Sequence, residues 1–252
     1  RLSGYPRTRE QISMNPIHLT IAGMPLGHPG EIALATVELA EHCDFVLCES
    51  KRAAQTHFKR AGLEIPDERF VVFDKKTRPV IFEEFLDELL QLSLKKPVQL
   101  MLVSDAGMPS MEDPGSRWIQ IAEENGFKIH MIGGPTAITS ALVRAGLNGP
   151  FCFGGFPPRE KKERQFFFKE ASRHSVPFGF YEAPHRVPDI ATELKGNLAP
   201  GKSLFVAVAL GSDQERIIRV SAGELSSLRL PKLPAVFLIY SKKPLDGRSA
   251  RS

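Results

Sequence analysis

Three cysteines in 252 residues are too few to staple a fold. Cys43, Cys48 and Cys152 lie in or beside apolar segments without ligand-like spacing, so neither disulfides nor a zinc site is expected. The seven histidines fall into no HxxxH or HExxH pattern, and no metal is expected. No apolar run approaches the roughly 20 residues needed to cross a bilayer, and the N-terminal residues lack the apolar core of a signal peptide. A soluble, cytoplasmic protein with no membrane partner is the expectation. The Gly/Pro loop that follows the first strand has neither GxGxxG spacing nor a Lys-Ser or Lys-Thr pair, which disfavours dinucleotide and nucleoside triphosphate binding there. Charge is nearly balanced: 33 Lys and Arg against 29 Asp and Glu give +4. That permits a polyanionic partner without demanding one.

What the chain does contain is the 42% hydrophobic and 25% charged composition of a globular protein. Its length suits two domains of about 110 residues. Residues 1–16 are polar, basic and aperiodic and are expected to form a weakly ordered arm. His18–Gly23 then reads as a strand, Met24–Gly30 as a Gly/Pro loop, and Glu31–Cys43 as a helix. Strands at 45–48, 70–73, 98–103 and 127–132 alternate with helical patterns, each strand ending in polar residues. This alternation predicts an α/β domain over 17–133 with a mostly parallel sheet covered on both faces. The pattern restarts at 134 and continues to 241, where late strands at 204–210, 216–220 and 235–241 predict mixed pairing. Residues 242–252 are expected to be a flexible tail.

The stretch from Val103 to Gly115 organises the first half. An apolar run stops at Ser104, Asp105, Ala106 and Gly107, then passes through Met108, Pro109, Asp113 and Pro114 before a new helix. Loops beyond strand carboxyl ends are where open α/β sheets bind small molecules. A tight turn with Asp113 capping the helix explains the same residues, and the two readings are compatible. Gly133-Gly134-Pro135-Thr136-Ala137 likewise launches a helix whose first N–H groups serve a ligand or a cap. Arg159, Lys161, Lys162 and Arg164 form the best basic patch, either a solvated helix face or a set of phosphate contacts. Glu182 and His185 are the most base-like pair, and Arg186 suits an anion; a helix-capping role for His185 stands beside the catalytic one.

Five motifs in order carry a resemblance: Pro25-Leu26-Gly27, Val103–Pro109 with Asp113-Pro114-Gly115, Gly134–Ala137, Gly154–Arg159, and Phe180–Arg186. From about His18 to Tyr240 the chain resembles the tetrapyrrole methylase superfamily of class III S-adenosylmethionine-dependent methyltransferases. Within it, the chain is most similar to the ribosomal small-subunit RNA methyltransferase I family, which methylates a cytidine ribose 2′-oxygen. The resemblance implies two α/β domains with a cleft between them, S-adenosylmethionine as cofactor, rRNA or the small ribosomal subunit as partner, and a homodimer. By motif, the cofactor-binding residues are Pro25, Leu26, Gly27, Ser104, Asp105, Ala106, Gly107, Met108, Pro109, Pro135, Thr136, Ala137, Tyr181 and Glu182. Glu182 or His185 is expected to take the acceptor proton, with Asp105 organising its loop, and Arg159, Lys161, Lys162, Arg164 and Arg186 to hold RNA. Departures mark a divergent branch. The usual Arg-Glu-Leu-Thr reads Val208-Ala209-Leu210-Gly211, the usual Gly-Glu before the last strand reads Pro234-Ala235, and His28 replaces the Asn after Pro-x-Gly. A methylase of a tetrapyrrole-like small substrate and a non-catalytic cofactor- or RNA-binding paralogue are the competing expectations.

Overall fold

The computed structural model describes residues 14–241, and the C-terminal tail and most of the N-terminal arm lie outside them. Asn15, counted with that arm, is anchored: its backbone N–H and its side-chain amide both donate to the Ser93 carbonyl at 2.9 Å. The chain divides into two compact units after Gly133, and the loop Met24–Glu31 groups with the second.

The first unit alternates β1 (Ile17–Ala22), α1 (Leu34–His42), β2 (Phe45–Cys48), α2 (Lys51–Arg60), β3 (Phe70–Val72), α3 (Pro79–Ser93), β4 (Val98–Leu102), α4 (Gly115–Glu124) and β5 (Lys128–Ile132). Its five strands run in the order β3-β2-β4-β1-β5, and every pairing is parallel. Crossover helices are what allow parallel neighbours, and burial on both faces explains the near-continuous apolar runs of β2 and β4. Phe73, Phe82, Phe85 and Trp118 form one aromatic cluster, with Trp118 4.8 Å from Phe73 and 5.6 Å from both Phe82 and Phe85 between ring centroids. The helix periodicity of α3 supplies Phe82, Phe85 and Leu89 to it. Gly126, at φ +68°, closes α4, as its position after a helical pattern predicts.

The second unit contains α5 (Ala137–Ala145), β6 (Cys152–Phe153), α6 (Lys161–Arg173), β7 (Phe178–Glu182), α7 (Val187–Leu194), β8 (Lys202–Val208), β9 (Arg216–Ser221) and β10 (Ala235–Ser241). The strands lie in the order β6-β7-β10-β8-β9, with β6 and β7 parallel and the remainder antiparallel. Alternation along β8 sends Leu204, Val206 and Val208 to a core with Phe168, Phe180 and Phe237, and Phe205 and Ala207 to another with Ile138 and Leu142. Both faces are thereby covered, α6 and α7 contributing to one and α5 to the other.

Candidate functional site

In the first unit, β2 and β4 are neighbours with Leu47 opposite Leu102. Parallel pairing therefore delivers Glu49 and the loop from Ser104 to the same sheet edge. The buried Ser104 hydroxyl donates to the Gly107 carbonyl at 2.9 Å, and Gly107 takes φ +78°. That turn needs a residue without Cβ. Asp113 accepts from the Ser110 and Gly115 N–H groups at 2.9 and 2.7 Å, so it ties the loop to the start of α4. Ser110 (φ 73°) and Glu112 (φ 68°) are held in the left-handed region, at a cost of about 1–3 kcal/mol each. Such strain persists only where surrounding contacts over-determine it.

Glu49, Asp105 and Asp113 repel one another there. Partial burial, then the Asp105 charge and those of Asp113 and Asp74, push the Glu49 carboxyl above its ordinary range against the pull of Lys75. Asp105 is raised by partial burial and by Asp113, opposed by the Ser50 N–H and by His57. The His57 Nε2–H donates to the Asp105 carbonyl at 2.9 Å. Cys48 beside them is no nucleophile: burial, then the Asp105 charge, pushes its thiol up to about 12. A folded-state carboxyl with a raised pKa binds more protons than the unfolded chain does. Stability must then fall as pH rises from the ordinary carboxyl range through the raised value. Urea unfolding between about pH 4 and 7 should show that decline, and Glu49→Gln should flatten it; an unchanged slope in the variant would remove Glu49 from the account.

In the second unit the Pro25-Leu26-Gly27 loop is organised by Glu31, whose Oε2 accepts from the N–H groups of Leu26, Gly27 and His28 at 2.8, 3.1 and 3.3 Å. Gly27 lies against the turn after β8: a Cβ there would stand 2.5 Å from Gly211 C and Ser212 N. Pro135 leads into α5, where Thr136 caps by accepting from Thr139 N–H and the Tyr181 hydroxyl accepts from Ile138 N–H at 3.1 Å. Two first-turn donors of α5 are thus already engaged by protein groups. Tyr181 also packs edge-on to Phe153, 4.7 Å between centroids.

Glu182 and Arg186 have a different place from the one their sequence suggests. The Glu182 side chain is fully buried. Its Oε1 accepts from Ala183 N–H (2.8 Å) and Arg186 Nε (2.7 Å), and its Oε2 from Arg186 Nη2 (2.8 Å). Arg186 Nη2 also donates to the Pro157 carbonyl. Arg164 is similarly committed, with Nε and Nη2 on the Glu193 carboxylate at 2.5 and 2.7 Å and Nη1 on the Pro158 and Arg159 carbonyls. Arg159, Lys161 and Lys162 stay exposed, and His185 is an exposed imidazole one residue before Arg186. Sequence reasoning overlooked Glu31 and Glu49. For Glu31 a signal existed, an acidic residue four positions beyond a Gly/Pro turn that has N–H groups to satisfy.

Among the described residues no helix is long and apolar enough to cross a membrane. Residues 18–226 match the model of the Tetrapyrrole (Corrin/Porphyrin) Methylases. A ribosomal RNA small subunit methyltransferase I of Leptospira biflexa is 28% identical over 92% of this chain and 94% of its own. A protein of the same name from Helicobacter pylori strain J99 is 31% identical over 74% and 68%. Among solved structures, the cobalamin biosynthetic enzyme cobalt precorrin-4 methyltransferase superposes with a TM-score of 0.61 at 15% identity, covering 88% of this chain and 94% of that one. Two sheets of the observed orders, each feeding loops from its strand ends, give the two-unit α/β fold of that solved structure. The chain belongs to the tetrapyrrole methylase family, and it is a methyltransferase that uses S-adenosylmethionine. The donor set suits that cation: three crowded carboxylates that repel one another are relieved by a sulfonium and an ammonium.

Proposed function

We propose that this enzyme methylates small-subunit rRNA at a cytidine ribose 2′-oxygen, as part of a homodimer. The observation that carries the reading is similarity, over nearly the full length of both chains, to a protein named for that rRNA. Exposed Arg159, Lys161 and Lys162 at the head of α6 support it, because phosphate contacts position RNA without reading its sequence.

S-adenosylmethionine supplies an electrophilic methyl carbon. The chain has to hold the acceptor oxygen in line with it and take one proton. Alignment is the work of the ordered loops Pro25–Gly27, Ser104–Pro109 and Pro135–Ala137 in this reading, and holding reactants in register removes several kcal/mol from the barrier. His185 takes the proton. Among the described residues its ring has no hydrogen-bond partner, whereas every Glu182 oxygen is already engaged. Glu182 and Arg186 then act as positioning residues, fixing the turn Ala183–Arg186 through their ion pair and through Arg186 N–H to the Ala183 carbonyl at 2.9 Å.

Labelled methyl should appear on small ribosomal subunits and, after nuclease digestion, in 2′-O-methylcytidine. His185→Ala should slow single-turnover transfer about 10²-fold while leaving S-adenosylmethionine uptake, read by calorimetry, within twofold. Label recovered in a small tetrapyrrole-like molecule and none in RNA would sink the acceptor assignment. Sedimentation giving the mass of one chain would remove the dimer.

A further inference from the structure

α6 carries an aromatic side chain where a charged one is expected. Phe166 is 66% exposed in a helix whose other solvent-facing residues are polar or charged. With Pro158, Lys162, Glu163, Phe167, Glu170 and Phe178 it lines an open groove of about 560 Å3, within the size range of small-ligand sites. Helical spacing puts Lys162 one turn before Phe166 and Lys169 one turn after it, on the same face. Between Arg159 and Arg173 there are six Lys and Arg against three Glu. Arg164 is paired with Glu193 and Arg173 with Glu170. Arg159, Lys161, Lys162 and Lys169 have no acidic partner among the described residues. The groove therefore sets Phe166 beside Lys162, with Glu163 and the Arg173-paired Glu170 also on its wall and Lys169 one turn further along the helix.

We propose that this groove is a nucleobase-stacking subsite for single-stranded RNA: one base lies on Phe166 between Pro158 and Phe178, and the flanking phosphates meet Lys162 and Lys169. The inference rests on the RNA reading above and adds a contact remote in sequence from the methyl-transfer loops. A polyanion bearing flat apolar groups matches ring and cations together; an apolar protein segment would cover Phe166 and leave the lysines unmatched. Stacking is indifferent to base identity. It supplies grip and direction along the strand, leaving the choice of nucleotide to the methyl-transfer loops.

The test is fluorescence anisotropy of a labelled 12-nucleotide oligocytidylate with the full chain. Phe166→Ala and Phe166→Leu should each weaken binding about tenfold, and Phe166→Trp should stay within twofold of wild type. Lys162→Ala with Lys169→Ala should reduce the slope of log affinity against log salt by about 1.4, while Phe166→Ala leaves the slope alone. S-adenosylmethionine uptake within twofold in every variant verifies folding. If Phe166→Ala and Phe166→Leu bind the oligonucleotide as wild type does, the subsite is overturned and the RNA reading stands. If wild type takes up S-adenosylmethionine but no RNA, both fall. A Phe166→Ala change in sedimentation with RNA binding intact would make the groove a contact between copies of the chain and overturn the proposal.

Discussion

Arg186→Ala is expected to destabilise the second unit by about 3–5 kcal/mol, because it strands a carboxylate in the protein interior. The Glu182 side chain is fully buried at the end of a central strand, and the Arg186 guanidinium covers it with two hydrogen bonds of 2.7 and 2.8 Å. What remains after truncation is one backbone donor, Ala183 N–H. The Pro157 carbonyl loses a donor at the same time. Removing both charges is different in kind. Glu182→Gln with Arg186→Met takes away the charge to be solvated along with its counter-ion, and should recover most of the loss. Hydrogen exchange across β7, β10 and α7 reads the effect directly, in the unit concerned. A loss below about 1 kcal/mol, the range of exposed ion pairs, would mean that water reaches Glu182 and that the pair is no framework.

That pair also shows where reading a sequence stops. Glu182 and Arg186 are four residues apart, so an ion pair between them is foreseeable, but burial is what turns a candidate base into a structural carboxylate, and burial belongs to the sheet. Arg164 repeats the lesson at longer range: its partner Glu193 is 29 residues away on α7. Periodicity did locate the elements, because it is local. The parallel first sheet follows from strand-helix alternation, and the antiparallel pairing of β8 with β9 follows from the short helix-free connection between them. The short β6, Cys152–Phe153, is followed by Gly154 under the Phe178 ring, where a Cβ would stand 2.4 Å from its edge, a contact that no local pattern announces. Register is the other missing ingredient. Val208, Ala235 and Glu182 lie in one row across β8, β10 and β7, and Ala209 N–H donates to the Pro234 carbonyl at 2.8 Å. The two departures from the family's charged motifs, far apart in the chain, therefore fall side by side. Charged neighbours removed together leave no unpaired partner behind.

Gly27→Ala should reduce S-adenosylmethionine affinity about a hundredfold. The new Cβ would meet Gly211 C and Ser212 N at 2.5 Å and Leu210 O at 2.7 Å, all of them main chain. None can swing aside as a side-chain end does. The turn is pinned by Ala209 N–H on Pro234, by Ser212 N–H on the Ala209 carbonyl at 3.1 Å and by Gly211 N–H on Glu215 at 2.9 Å. The other side of the loop is held just as firmly, since Glu31 gathers three successive N–H groups. Hydrogen bonds to a charged acceptor contribute about 1.5–3 kcal/mol each, so the strain has to be taken up by displacing Pro25–Gly27 from its place. Gly30→Ala is the matched control. Its Cβ meets only the His28 imidazole at 3.1 Å, which can rotate, and binding should stay within about threefold. Glu31→Gln approaches the same loop without adding an atom: it exchanges the anionic acceptor for an amide and should weaken cofactor uptake by about tenfold while circular dichroism stays native. Calorimetric titration of all three settles the matter. Wild-type affinity in both Gly27→Ala and Glu31→Gln, with folded protein in each case, would remove this loop from the cofactor site.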